Sequence, residues 1–279
     1  MTTDLSPAIP RAGMNAAVGH IVMVVLAIFS LFPVYWMIVT SLRPANAIFD
    51  ATPWPTAPSL ANYGYALGAI PMVEMLGNTL LVASIVTVAQ LFTGLLAAYA
   101  FACWRFPFDK LIYTLIALTW LVPFQVVMIP NYLLVSNLGL LDSVTALILP
   151  HFAAALAVLL LAQAMRSFPR EVLEAARMDG ARSWRILWEV IAPNLRGTIA
   201  SLAILIFIST WNEYFWPLLL SRTPENSVIQ IGVQMFMTSE GTQWGPLMAA
   251  STMASLPILV LYVLLQRQVV QSFMQSGIR

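Results

Sequence analysis

Residues 166–197 read RSFPREVLEAARMDGARSWRILWEVIAPNLRG, with six arginines and four acids in 32 positions. Those ten charges belong to a chain of 279 residues that has only 13 basic and 12 acidic side chains. Two helices are predicted in the stretch. Pro169 opens the first, and Gly180 ends it by adopting the left-handed conformation. Between them Glu174 stands at ion-pair spacing from both Arg170 and Arg177. Ala175 and Ala176 leave one side of this helix nearly flat, so that it can lie closely in a groove of another protein. The second helix, residues 182–191, sets Trp184, Leu187, Trp188 and Ile191 on one face and Arg182, Arg185 and Glu189 on the other. Such a helix lies along a membrane surface with its tryptophans at headgroup level, and Pro193 breaks it. A loop that merely fixed topology would explain the arginines, but not this ordered Glu-Ala-Ala, Asp-Gly-Ala and Pro.

Outward from this stretch the chain is nearly without charge. It is 60% hydrophobic and 9% charged, with mean hydropathy +0.83. A soluble domain averages about 25% charged residues, so this composition cannot cover a water-facing surface and defines a membrane protein. A formal charge of +1 argues against nucleic acid as a partner. The single cysteine, Cys103, excludes an intrachain disulfide and a cysteine-held metal cluster. Lys110 is the only lysine and no phosphate-binding Gly-Lys loop surrounds it. His20 and His151 form no His-Glu-x-x-His pair and read as structural. No catalytic residue, metal ligand or cofactor site is therefore predicted in this chain.

A helix needs about 20 apolar residues to cross the hydrocarbon. Six uncharged or nearly uncharged runs qualify: 18–41, 78–101, 111–133, 143–165, 198–220 and 244–266. No run alternates like a barrel strand, and the first is too long for a typical cleaved signal. Eleven basic residues, Arg11, Arg105, Lys110 and Arg279 among them, fall on one side of these spans, and only Arg43 and Arg222 on the other. The positive-inside rule then puts both termini in the cytoplasm. The expected organisation is a cytoplasmic N-terminus (1–17), a six-helix transmembrane domain (18–266) containing the loop 166–197, and a cytoplasmic tail (267–279). The outer loop 42–77 is rich in proline and aromatic residues, which suits either interfacial anchoring or docking of an external partner.

Glu213 is the one formal charge inside a span. An intramembrane carboxylate is a functional hypothesis by default. Here it stands beside Trp211, Asn212 and Tyr214, whose rings and amide suit a hydroxylated solute. A carboxylate that holds the bundle together, paired or protonated, is the other reading. An ion-coupled secondary transporter using Glu213 is the alternative function, although it leaves the charged loop without a role.

Glu174-Ala175-Ala176-x-x-Asp179-Gly180-Ala181, followed by Pro193, closely resembles the EAA motif of ABC-importer permeases. The resemblance implies a type I ABC importer permease fold, in which the first loop helix is a cytoplasmic coupling helix. By that resemblance Glu171, Glu174, Ala175, Ala176, Arg177, Met178, Asp179 and Gly180 dock into the ATP-binding subunit. Leu187, Ala192 and Gly197 depart from the family pattern, but they lie in the elbow rather than in the docking helix. Val122-Pro123-x-Gln125, Leu138-Gly139-Leu140 and Trp211-Asn212-Glu213 narrow the likeness to carbohydrate-uptake permeases of the maltose type. Residues 211–218 and the Glu240-Gly241-Thr242-x-Trp244 stretch also look like the glycerol-3-phosphate branch. The resemblance implies a second permease subunit, two ATP-binding subunits that hold ATP and Mg, and an external substrate-binding protein. It also implies a sugar-class solute passing near Trp211, Asn212, Glu213 and Tyr214, in the cell (inner) membrane.

Overall fold

The computed structural model describes residues 12–238 and 241–277. Arg11, Glu240 and Arg279, used above, lie outside these residues, as does most of segment 1–17.

The first half comprises α1 (Ala12–Ser41), α2 (Ala61–Ala69), α3 (Met72–Cys103), α4 (Asp109–Leu121) and α5 (Phe124–Asn137). The short α6 (Val144–Ile148) leads into α7 (Ala155–Arg166), and α8 (Arg170–Met178) forms the first half of the charged loop. Next, α9 (Ser183–Arg185), a π-helical stretch (Ile186–Ile191) and α10 (Ala192–Asn194) run on as one helix. The chain continues with α11 (Arg196–Trp211), α12 (Phe215–Leu220), α13 (Ile229–Gln234) and α14 (Trp244–Gly277). One two-residue ladder, Met237 with Thr242 and Thr238 with Gly241, interrupts an otherwise helical chain.

Three of the expected spans are unbroken: Val18–Ser41, Met72–Cys103 and Trp244–Leu264. The other three are not the continuous helices that the apolar runs predict. Asp109–Leu121 and Phe124–Asn137 meet at 98°, and Val144–His151 and Ala155–Arg166 meet at 42°. The run 198–220 stops at Trp211 and restarts at Phe215, while its N-terminal end turns 81° from Ser183–Asn194. Among the described residues three unbroken helices are thus long and apolar enough to cross a membrane, or up to six segments if each bent pair is one span. Pro123 explains the sharpest bend. It lacks an N–H and pushes the preceding residue out of the helical region, and Val122 is extended at φ −77°, ψ 118°.

Breaks inside a bilayer are tolerable only where other groups satisfy the freed backbone. α3 supplies them. Gln90 donates to the carbonyl of His151 at 2.9 Å and Thr93 to that of Phe152 at 3.0 Å, both in the interruption before α7. The Thr79 hydroxyl accepts from the backbone N–H of Ile229 at 2.9 Å. The indole of Trp216 donates to the carbonyl of Ala146 at 3.2 Å.

The same helix forms the packing axis. Between helices in lipid, close backbone approach and hydrogen bonds replace the hydrophobic drive. A Cβ at Gly94 would lie 3.0 Å from the Cβ of Ala157 and 3.2 Å from Leu161, so only glycine lets α3 approach α7 this closely. Leu95, Ala98, Leu161, Ala162 and Met165 are buried around that seam.

The loop 42–77 is folded rather than slack. Asn62 donates to the carbonyls of Ser41 (2.9 Å) and Arg43 (2.8 Å), and the Ser41 and Tyr63 hydroxyls meet at 2.7 Å. Arg43 is buried over the Trp36 ring and donates to the carbonyl of Thr52.

Candidate functional sites

The loop helix α8 ends as its sequence dictates. Gly180 takes φ +77°, its N–H bonds the carbonyl of Arg177 at 3.0 Å, and the Ala181 N–H bonds that of Ala176 at 3.0 Å. This is the paired closure of a Schellman motif, which needs a residue free of a Cβ penalty at the left-handed position. Leu173, Ala176 and Ala181 pack against the bundle core. Glu171, Glu174, Ala175, Arg177, Asp179 and Met178 face outward, Met178 with 89% of its surface exposed. One side of α8 is anchored and the other is free.

The predicted ion pairs of Glu174 do not form. The one ion pair among the described residues joins Arg185 to Glu189 at 2.6 Å, on the exposed side of the next helix. Arg177 instead donates to the carbonyl of Cys103 at 3.4 Å, which ties the loop to the end of α3. The expected apolar face of that next helix is present but shifted. Leu187 and Ile191 are buried, and Trp188 stacks on Phe92 with centroids 6.1 Å apart, whereas Trp184 is exposed. The i→i+5 spacing of the π stretch adds Ile186, which a 3.6-residue period leaves off that face.

Inside the bundle a cavity of about 190 Å³ is lined by Thr79 and Gln90 from α3, His151, and Glu213 and Trp216 from the break between α11 and α12. Glu213 accepts from the backbone N–H of Trp216 at 3.3 Å. Its carboxylate thereby satisfies a donor at the start of α12. The His151 ring lies 3.2 Å from the carbonyl of Leu147 and meets the Trp216 ring edge-on at 6.3 Å.

Of the four residues expected near a solute, only Glu213 lines this cavity. Trp211 is 1% exposed, stacked on Phe207 at 5.7 Å. Asn212 donates back to the carbonyl of Ile208 at 2.8 Å, and Tyr214 meets Phe215 edge-on at 5.5 Å. Gln90, His151 and Trp216 were not candidates. The available signal was a glutamine and a histidine inside otherwise apolar runs, residues that seldom face lipid.

Broken apolar helices around a small, largely apolar cavity with a few polar groups on its wall, and an amphipathic helix turned out at one end, are the architecture of a helical membrane protein, and the relatives of this chain are transport permeases. The chain belongs to the family of binding-protein-dependent transport system inner membrane components, whose family model matches residues 90–275. It is 32% identical over 267 residues to the sn-glycerol-3-phosphate transport system permease protein UgpE of Yersinia pestis, covering 92% of this chain and 95% of that one. It is 31% identical over 269 residues to the lactose transport system permease protein LacG of Rhizobium radiobacter, covering 95% and 97%. Among solved structures, a chain of a bacterial ABC transporter involved in the import of the acidic polysaccharide alginate superposes with a TM-score of 0.81. That match has 24% identity and covers 94% of this chain and 99% of the other, which establishes a shared fold.

Proposed function

We propose that this chain is the permease subunit of an ATP-driven ABC importer for a sugar or a related polyol or glycerol-phosphate solute. The observation that carries this reading is similarity along nearly the whole chain to permeases named for lactose and for sn-glycerol-3-phosphate. An external binding protein delivers the solute, as the family description implies. A second permease subunit completes the pathway in the cell membrane. Two ATP-binding subunits hold ATP and Mg, for which this chain has no phosphate-binding loop.

In this reading there are six crossings with both termini cytoplasmic, because eleven of thirteen basic residues then lie inside. Segments 1–17 and 267–279 flank the transmembrane domain on the inner side. The free face of α8, with Glu171, Glu174, Ala175, Arg177, Met178, Asp179 and Gly180, docks into an ATPase subunit, while Ala176 seats the helix on the bundle. Closure of the ATPases moves α8, and the anchored side of α8 transmits that movement to the π-helical stretch Ile186–Ile191 on which it packs. The Schellman closure at Gly180 keeps α8 a rigid lever.

The solute passes the break at residues 211–215. Glu213 faces the cavity there, Asn212 and Tyr214 stand beside it, and Trp211 supports them from behind. At about 190 Å³ the cavity is smaller than typical ligand pockets of about 300–1,000 Å³. The path therefore needs the partner permease or an opening of the bent helices.

Purification of this chain from its native membrane in mild detergent, with mass spectrometry of what accompanies it, tests the reading. Recovery of a second permease and an ATP-binding protein is the expected result. Transport by the chain alone, reconstituted without ATP, would overturn it and return Glu213 to the centre of an ion-coupled mechanism.

A further inference from the structure

A larger cavity, of about 640 Å³, lies between the turn joining α3 to α4 and the turn joining α7 to α8. Arg105, Lys110, Arg166 and Arg170 line it, with Asp109 and with Arg177 and Glu174 from the border of the face of α8 assigned above to the ATPase. Among the described residues none of these five cations is within ion-pair distance of a carboxylate. Two are held in place by other means. The Arg166 guanidinium lies 4.4 Å over the Tyr113 ring, and Arg177 is tethered to the carbonyl of Cys103. Like charges fixed around one concavity repel one another, and an anion with several oxygens relieves that repulsion best. Guanidinium forks match phosphate oxygens in geometry, and charge-assisted bonds to them are the strong ones.

The surroundings of the cavity are amphiphilic. Trp104 lines the cavity and is exposed, and on another face of α4 Leu111, Leu115 and Leu118 form an apolar strip that is 50–54% exposed. A cationic hollow on a helix whose other face is apolar and exposed is an arrangement that takes a phosphorylated headgroup at a membrane surface.

We propose that this cavity is a phosphate-binding site at the cytoplasmic rim of the permease, taking the phosphoester of either a lipid headgroup or a soluble metabolite. The proposal rests on the inward orientation of α8 argued above. A bound phosphate would join the end of α3 to the base of α8 and so stiffen the lever that the ATPases move.

The test uses the complete importer with its partner subunits, in nanodiscs of phosphatidylcholine containing a minor fraction of phosphatidylglycerol. Native mass spectrometry counts retained phosphatidylglycerol, and inorganic phosphate or glycerol phosphate is added in a second arm. The double variant Lys110→Gln/Arg166→Gln is expected to retain about tenfold less phosphatidylglycerol than the unaltered importer. Lys110→Gln alone, at an exposed position, gives a smaller loss and keeps the test readable if the double variant fails to assemble. Retention insensitive to soluble phosphate identifies the lipid as the source, and displacement by it identifies the soluble phosphoester. Equal binding in unaltered and variant importers overturns the proposal. So does loss of the ATPase subunit in place of phosphate, which would make the basic cluster a protein contact. Labelling of Met178→Cys, in a Cys103→Ser background, by a membrane-impermeant thiol reagent tests orientation separately. Labelling from the outside would refute the inward reading of α8 while leaving the phosphate count to stand or fall by itself.

Discussion

The backbone N–H of Trp216 donates to the Glu213 carboxylate at 3.3 Å, across the point where α11 has ended and α12 has yet to complete a turn. The one formal charge in this apolar run therefore acts as a helix cap at a break. Loss of such an acceptor costs about 0.5–2 kcal/mol. Glu213→Ala is expected to lower the unfolding temperature of the purified importer, whereas Glu213→Gln, which keeps an acceptor oxygen, stays close to the parent and retains ATP-dependent uptake. Loss of uptake in Glu213→Gln with unchanged stability would instead mark a group that exchanges protons or binds solute through its charge.

The α3–α7 seam predicts a steric effect. A Cβ at Gly94 already meets Ala157 at 3.0 Å, so Gly94→Leu must drive the two helices apart. Overpacking of a tight interior typically costs about 1–3 kcal/mol. The variant should unfold at lower temperature in detergent, and Ala157→Gly in the same chain should restore part of the loss. An unchanged melting curve would contradict the close approach.

The coupling role of α8 has its own test. Glu174→Lys reverses a charge on the free face, and Gly180→Pro cannot adopt φ +77° because proline is held near −65°. Both variants should insert and join their partners yet lose solute uptake. Normal uptake by either would remove α8 as the transmission element.

Asp142 predicts a pH dependence outside the spans. Its carboxylate accepts from the backbone N–H groups of Thr223 (3.0 Å) and Arg222 (2.8 Å) and from the Thr223 hydroxyl, clamping the turn before α6 to the segment after α12. Those backbone bonds, Thr223 foremost, lower its pKa from 3.8 to about 2. A value below that of the unfolded chain means that the contribution is complete above about pH 4 and is lost as pH falls toward 2. Limited proteolysis between α12 and α13 should accelerate over that interval, and Asp142→Asn should flatten the difference between the parent and acid-treated protein. Identical acid profiles for the two would dismiss the clamp.

The apolar runs and the glycine that ends the loop helix were legible because each depends on local chemistry. Hydrocarbon selects run length, and the left-handed position after α8 selects glycine at 180. The bends were not legible. Pro123 and Pro130 carry the same local signal, yet the chain breaks at Pro123 while Pro130 lies within α5. Which broken segment survives in lipid depends on donors from elsewhere, as Gln90 and Thr93 show for the carbonyls of His151 and Phe152.

The candidate site divides in the same way. That Trp211 and Glu213 belong to one motif is written in the sequence, but three residues of broken helix turn Trp211 into buried packing and leave Glu213 on the cavity with His151, Gln90 and Trp216. The sequence by itself determined a helical membrane permease, its polar loop and the end of the loop helix, all consequences of period, length and turn chemistry. Only the tertiary structure decided where helices break and which distant side chains meet. Those outcomes depend on satisfying backbone groups and packing glycine against alanine across 60 or so residues of intervening chain, and no local pattern records that.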